Sequence, residues 1–318
     1  MIEATSLTKR YGARTAVDDV SFVVRPGQVT GFLGPNGAGK STTMRMIVGL
    51  DRPTSGRVTV NGRAYAEHRS PLHEVGALLD AKAVHTGRSA RNHLRAIAAT
   101  HGIPTRRVDE VIDLTGLRSV AGKRVGGFSL GMGQRLGLAA ALLGDPATLL
   151  LDEPVNGLDP EGVLWVRGFV RQFAAEGRTV LLSSHLMSEM ALTADHLIVL
   201  GKGRVIANSS VAGIVGSTQT YVRVRSPRVD ELARRVAQAD VTVTNVALDT
   251  IEVRGLTPEV IGDAALSIGA ALHELTTVSG SLEDAYMDLT RDEVEYRTTV
   301  TDAGADRAAA ALAGEVAR

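Results

Sequence analysis

Over the first 65 residues apolar and polar positions alternate in short runs broken by turn residues, a pattern that predicts β-strands. Ile2 to Thr8 and Val17 to Val24 alternate, and Pro26-Gly27 makes a turn before a run from Gln28 to Leu33. Val58 to Val60 closes on Asn61-Gly62, a hairpin signal. From Ser89 to Gly116 the period lengthens to that of a helix, with Leu94, Ile97 and Ala98, then Val108, Val111 and Ile112, on one face. A glycine-rich link from Gly122 to Gly133 precedes a predicted helix from Gln134 to Leu143. Beyond it, an apolar run at Thr148 to Leu151, a helix around Val163 to Ala175 and a second run at Thr179 to Ser183 complete a strand–helix alternation. Uninterrupted apolar strands alternating with helices imply a parallel sheet covered on both faces, the core of an α/β domain.

Near residue 216 the texture changes. Tyr221 to Arg225, Val241 to Val246, Thr250 to Arg254 and Ala271 to Thr277 read as strands, and Val229 to Ala239 as a helix. A second helix starts at Thr257-Pro258-Glu259 and runs to about Gly269. The order βαββαβ predicts a small ferredoxin-like α+β domain. Ser281-Leu282-Glu283-Asp284 has the form of a capping box, and Leu282, Ala285, Tyr286 and Leu289 share one helical stripe. Beyond Arg291 no apolar face persists, which predicts a flexible tail. The expected domains are therefore 1–215, 216–290 and a tail, 291–318, in a chain of 318 residues.

Composition narrows the chemistry. The formal net charge is zero and aromatic residues make up 3%, so neither a polyanion-binding charge nor a base-stacking surface is present, and no nucleic-acid partner is expected. That zero is a sum of two unlike parts: residues 1–215 hold 25 basic and 18 acidic side chains, and residues 216–318 hold 10 and 17. With no cysteine, thiolate chemistry is excluded. No apolar window is long enough to span a bilayer, and the start of the chain does not have the form of a signal peptide, so a cytoplasmic location is expected.

The chemical signal is concentrated at Gly34-Pro35-Asn36-Gly37-Ala38-Gly39-Lys40-Ser41, a complete G-x-x-x-x-G-K-[ST] between a predicted strand and a predicted helix that continues through Thr42. Its glycines let backbone N–H groups turn onto phosphates, and the helix N-terminus adds positive potential. Lys40 is suited to the β- and γ-phosphates and the Ser41 hydroxyl to Mg²⁺, so ATP and Mg²⁺ are the expected cofactors. The apolar strand Leu149-Leu150-Leu151 ends in Asp152-Glu153. Asp152 is placed to hold Mg²⁺, and Glu153, one residue on, to orient and deprotonate the attacking water.

Together these motifs resemble the ATPase subunits of ATP-binding cassette (ABC) transporters over about residues 1–215. The family's Leu-Ser-Gly-Gly-Gln signature stands here as Phe128-Ser129-Leu130-Gly131-Met132, followed by Gly133-Gln134-Arg135-Leu136; Leu130 and Met132 are departures. The resemblance implies a cassette with an antiparallel β subdomain and a helical signature subdomain, working as a head-to-tail homodimer in which Ser129 and Gly131 read the ATP of the other copy. It further implies that Asp159, in Asn156-Gly157-Leu158-Asp159, crosses the dimer seam, and that His185 contacts the γ-phosphate and the attacking water. Tyr11 matches the aromatic residue that stacks on adenine; packing of a strand-end tyrosine on the core is the alternative. Where the family carries a glutamine that couples the Mg²⁺ site to the transporter, this chain has no Gln between Gln28 and Gln134, and Asp80 is the best counterpart.

Residues 281–290 resemble the extension of drug-resistance exporter ATPases of the daunorubicin-resistance type, with dimer support and docking regulation both open as its role. The implied function is the ATPase subunit of an ABC exporter, peripheral on the inner face of the cell membrane and partnered by a separate integral membrane permease. The alternatives are a soluble non-transport ABC ATPase and a nucleotide-gated regulatory module.

Overall fold

The computed structural model describes residues 1–80, 84–216, 220–278 and 280–290; the predicted tail, 291–318, lies outside them. The chain runs through β1 (Ile2–Tyr11), β2 (Arg14–Val24), β3 (Val29–Leu33), α1 (Lys40–Ile47), β4 (Ser55–Val60), the single turn α2 (Pro71–Glu74), β5 (Val75–Leu78), α3 (Ala90–Thr100), α4 (Thr105–Leu114) and α5 (Leu130–Ala141). It continues through β6 (Thr148–Leu151), α6 (Pro160–Ala175), β7 (Thr179–Ser183), α7 (Met187–Thr193), β8 (His196–Gly201), β9 (Arg204–Ser210) and α8 (Val211–Gly216). The last part comprises β10 (Tyr221–Arg225), α9 (Val229–Val236), β11 (Thr242–Ala247), β12 (Thr250–Arg254), α10 (Pro258–Ser267), β13 (Glu274–Val278) and α11 (Leu282–Thr290).

A six-stranded sheet in the order β5-β6-β7-β3-β8-β9 forms the centre. Five strands are parallel and β9 closes the edge antiparallel to β8, so the core sheet is mixed rather than purely parallel. Its inner strands β3, β6 and β7 are buried at every position because both faces are covered. Leu149, Leu151, Val180, Leu182, Leu197 and Val199 face the side that carries the helical layer. Leu150, Leu181, Ile198 and Leu200 face the other side, where α1 and the antiparallel sheet β2-β1-β4 complete a second core. One face is thus covered by helices and the other largely by a sheet.

Several local predictions are corrected. Asn61 and Gly62 do adopt positive φ (50° and 82°), but the turn closes only the single bridge Val60–Arg63, since β4 already pairs with β1 and the chain then leaves the sheet. The helical stretch 89–116 is two helices, broken where Gly102 turns to φ 66° ahead of Pro104. The glycine-rich link ends early: Ser129 caps α5, its Oγ accepting from Met132 N at 3.2 Å, so the helix begins at Leu130. The last strand starts at Glu274, not Ala271, because its partner β10 ends opposite that residue.

The C-terminal sheet is antiparallel throughout, in the order β11-β12-β10-β13, so each βαβ pair is split by an intervening strand. Its one covered face holds a separate core of Val222, Val224, Leu232, Ile251, Val253 and Ile261. Helix α11 does not join that core. Leu282 and Ala285, each 2% exposed, lie in the core of the helical layer, where α11 packs on α7 and α8.

Candidate functional site

The phosphate loop leaves the carboxyl end of β3, the strand flanked by β7 and β8. Asp152 and Glu153 leave the same end of β6, His185 follows β7, and Asp80 follows β5. Parallel pairing of β5, β6, β7 and β3 therefore brings four separate chain segments to one edge, the expected ligand edge of such a sheet. Gly39 caps α1 at φ 100°, and a Cβ there would come within 2.6 Å of the Ala16 carbonyl oxygen, so the close turn requires glycine. Lys40 Nζ donates to the carbonyl oxygens of Gly34 and Pro35. Burial pushes its ammonium down, opposed by the carboxylates of Glu153 and Asp152.

The Ser41 hydroxyl donates to Asp152 Oδ2 at 2.9 Å, and Ser183 Oγ donates to the other oxygen of that carboxylate. The Ser41–Asp152 pair supplies hard oxygen donors, and Mg²⁺ takes one or two protein oxygens together with phosphate oxygens and water, so these residues fit the ion. Asp80 is exposed and shares with Ser41 and Asp152 a cleft of about 930 Å³ that continues between α1 and α3 toward His93 and Ile97.

Glu153 is held from three directions. Its N–H donates to Ser183 Oγ at 2.9 Å, its carbonyl accepts from Gln134 Nε2 at 2.8 Å, and its carboxylate Oε2 meets His185 Nδ1 at 2.7 Å. A carboxylate only accepts, so the hydrogen in that last contact sits on Nδ1. The residue adopts φ 51°, a left-handed conformation that costs a side-chain-bearing residue on the order of 1–3 kcal/mol and persists because these three ties determine it. Ser183 and Gln134 are participants that motif reading does not single out. Gln134 stands in the continuation Gly133-Gln134-Arg135-Leu136 of the signature, but its contact with Glu153 follows only from its burial in α5, 4% exposed; Ser183 is a polar end to an apolar strand.

The other predicted residues gather elsewhere. Ser129 and Gly131 stand at the start of α5 against the Asn156–Asp159 loop, where a Cβ on Gly131 would come within 2.8 Å of the Gly157 carbonyl oxygen. Leu130, one of the departures from the signature, packs against Gly157. Asp159 caps α6, its Oδ1 accepting from Gly162 N at 3.1 Å, with Arg135 Nη2 3.8 Å away. Tyr11 is 47% exposed at the end of β1, so it does not pack on the core. Its hydroxyl donates to Asp51 Oδ2 at 3.0 Å, which also accepts from Arg45 Nε at 2.7 Å. Partial burial first, and the Asp51 contact second, push the Tyr11 phenol up.

A P-loop at the carboxyl end of a central strand, an Asp-Glu pair on a neighbouring strand and a separate capped signature helix define an ATPase cassette. Protein-family comparison agrees: a model described as ABC transporter matches residues 17–156, one of an AAA domain matches 122–191, and one of a domain of unknown function matches 220–283. The uncharacterized ABC transporter ATP-binding protein YhcH of Bacillus subtilis is 36% identical over 304 residues, covering 93% of this chain and 99% of the relative. The bacitracin transport ATP-binding protein BcrA of Bacillus licheniformis is 40% identical over 209 residues, 65% of this chain and 68% of the relative. Among solved structures, an ATP-binding subunit of an ABC transporter matches with TM-score 0.62 and 29% identity, covering 67% of this chain and 91% of that one. The chain belongs to the ATP-binding proteins of ABC transporters, and ATP hydrolysis is its chemistry. Among the described residues no helix is long and apolar enough to cross a membrane.

Proposed function

We propose that the chain is the ATPase subunit of an ABC exporter, of the drug-resistance (daunorubicin-resistance) type, working as a head-to-tail homodimer on the inner face of the membrane with a separate integral permease. The observation that carries the catalytic part is the chain Ser41–Asp152–Ser183–Glu153–His185 beside the P-loop. In this reading the Gly34–Gly39 backbone and Lys40 bind the phosphates, Ser41 and Asp152 hold Mg²⁺ with Asp80 beside them, and Thr42 and Tyr11 line the nucleoside side. Bound Mg²⁺ supplies charge neutralisation on the phosphate oxygens. Glu153 takes the proton of the attacking water, and His185 fixes the carboxylate that receives it.

The dimer is supported by the separation of the signature residues Ser129 and Gly131, grouped with Asp159, from the P-loop; a second copy is needed to bring a signature to each phosphate site. An antibiotic-like cargo is supported by likeness to the bacitracin transport protein, and export by the resemblance of residues 281–290 to drug-resistance exporters. The test is Glu153→Gln. It should retain ATP, lose turnover by at least about 100-fold, and run as an ATP-dependent dimer on size-exclusion chromatography. Wild-type turnover in this variant refutes the base, and a monomer under saturating ATP refutes the dimer. Affinity capture from membranes that recovers ribosomes and no integral membrane protein refutes the transport role in favour of a soluble ATPase.

A further inference from the structure

The short helix α7 begins two residues after His185 and spans only Met187–Thr193, too few residues to hold its own orientation. Two ties fix it to α6. Arg167 Nη2 donates to Glu189 Oε2 at 2.7 Å in the first turn of α7, and Arg171 Nη1 donates to the Leu192 carbonyl at 2.8 Å in the last. Arg167 and Arg171 stand four residues apart, on one face of α6. The charged pair is largely sheltered, with side chains 22% and 23% exposed. Apolar packing also joins the two helices: the buried Val166, Val170, Leu182 and Met190 line, with Arg167 and Glu189, a cavity of about 20 Å³ between them. Apolar contacts are not directional and tolerate a small slide of α7, so the charge-assisted bond at 2.7 Å is the contact that fixes its register on α6.

The pair also closes a ring. Glu153 leads through residues 154–159 into α6; Arg167 reaches Glu189; α7 leads back to His185; and His185 Nδ1 returns to Glu153 Oε2 at 2.7 Å. We infer that Arg167 and Glu189 are positioning residues that set the distance between His185 and the Glu153 carboxylate without touching the substrate. This inference rests on the catalytic reading of Glu153 and His185 given above. Opening the ring at Arg167 lets α7 shift, and His185 with it, while the P-loop and its ATP contacts stay in place.

The test is a mutant cycle in the full-length chain, with Mg-ATP turnover and ATP affinity measured separately. Arg167→Met should lower kcat by about 10- to 100-fold, the cost of misplacing a group in the reactive geometry, with KM for ATP unchanged. The charge swap Arg167→Glu with Glu189→Arg should restore most of that loss, and it keeps the test decisive should the single variant fold poorly. In a His185→Ala background, Arg167→Met should lower kcat no further, since its effect passes through His185. A full additional loss in that background, a loss confined to KM, or a failure of the folded swap to recover kcat overturns the inference while leaving the catalytic reading intact. Unchanged kcat in His185→Ala alone overturns both, and is recognised before the cycle is completed.

Discussion

The cassette and the C-terminal domain use the same small set of apolar residues in opposite ways. In the cassette, β6 and β7 are buried at every position and consecutive residues feed two different cores. In the C-terminal domain only alternate residues of β10 and β12 face helices α9 and α10. The opposite face carries Tyr221, 9% exposed, with the guanidinium groups of Arg223 and Arg254 over its ring, at 5.8 and 5.0 Å, and Glu252 paired to Arg223. A sheet covered on both faces is rigid enough to bring four loops to one edge. A sheet that is apolar on one face and charge-paired on the other keeps its own smaller core. Between them stands α11, which follows the C-terminal sheet in the chain yet lends Leu282 and Ala285 to the cassette's core. The boundary of cooperative structure therefore does not coincide with the change in sequence texture near residue 216.

The comparison is broken most severely at the P-loop. Gly39→Ala forces a Cβ toward the Ala16 carbonyl oxygen at a residue whose φ is 100°. ATP binding should be lost, and with it the stabilisation that a ligand at a hundredfold excess over its Kd confers, about 2.7 kcal/mol. Calorimetry with and without ATP reads this directly. A variant that retains the full ATP-induced shift shows that the strict geometry of this turn is not what binds the phosphates.

A pair of truncations of equal chemistry sharpens the boundary. Leu232→Ala empties a fully buried position in the C-terminal core, and Leu282→Ala one on α11, 2% exposed. Each should cost about 2–5 kcal/mol, the range for a buried leucine. Leu282→Ala should lower the transition that ATP stabilises, whereas Leu232→Ala should lower the other and leave the ATP-induced shift intact. If Leu282→Ala moves only the ATP-insensitive transition, α11 belongs energetically to the C-terminal domain.

What could be read in the sequence follows the same division. Thr148–Leu151, Thr179–Ser183, Tyr221–Arg225 and Thr250–Arg254 lie where the pattern predicts them, because long-range burial only reinforces their local signals. The P-loop and the Asp152-Glu153 strand end were legible because each is contiguous. Strands β8 and β9 are not among the predicted elements: β9 (Arg204–Ser210), polar at four of its seven positions, is an edge strand that pairs with β8 alone in its sheet. The start of α5 was hidden in glycines that read as a link, yet Gly131 is needed there by the close approach of Gly157. Ser183 and Gln134 reach Glu153 across 30 and 19 residues of chain, a spacing that no local pattern encodes. The place of α11 was equally hidden, since an amphipathic stripe shows that a helix has a partner and not which one.

The smallest effect tests the start of that helix. Ser281 and Asp284 form a reciprocal cap: Asp284 N donates to Ser281 Oγ at 3.1 Å, while Ser281 N and its hydroxyl donate to Asp284 Oδ2 at 3.0 and 2.8 Å. These bonds, the hydroxyl's first, hold the Asp284 carboxyl below its usual range, with Arg254 and Arg223 of the sheet's polar face adding to the effect. A carboxyl depressed in the folded state stabilises above its unfolded value, ~4, and that contribution is lost as pH falls through the folded value. Ser281→Ala should therefore cost about 1 kcal/mol at neutral pH, as loss of a helix cap does. The difference from wild type should narrow in acid without vanishing, because the bond from Asp284 N to Ser281 Oγ does not titrate. Denaturant unfolding at neutral and acid pH measures both values, and the loss should fall in the same ATP-stabilised transition as that of Leu282→Ala. A deficit that is independent of pH removes the Asp284 carboxylate from the cap and leaves α11 held on the cassette by the apolar packing of Leu282, Ala285 and Tyr286.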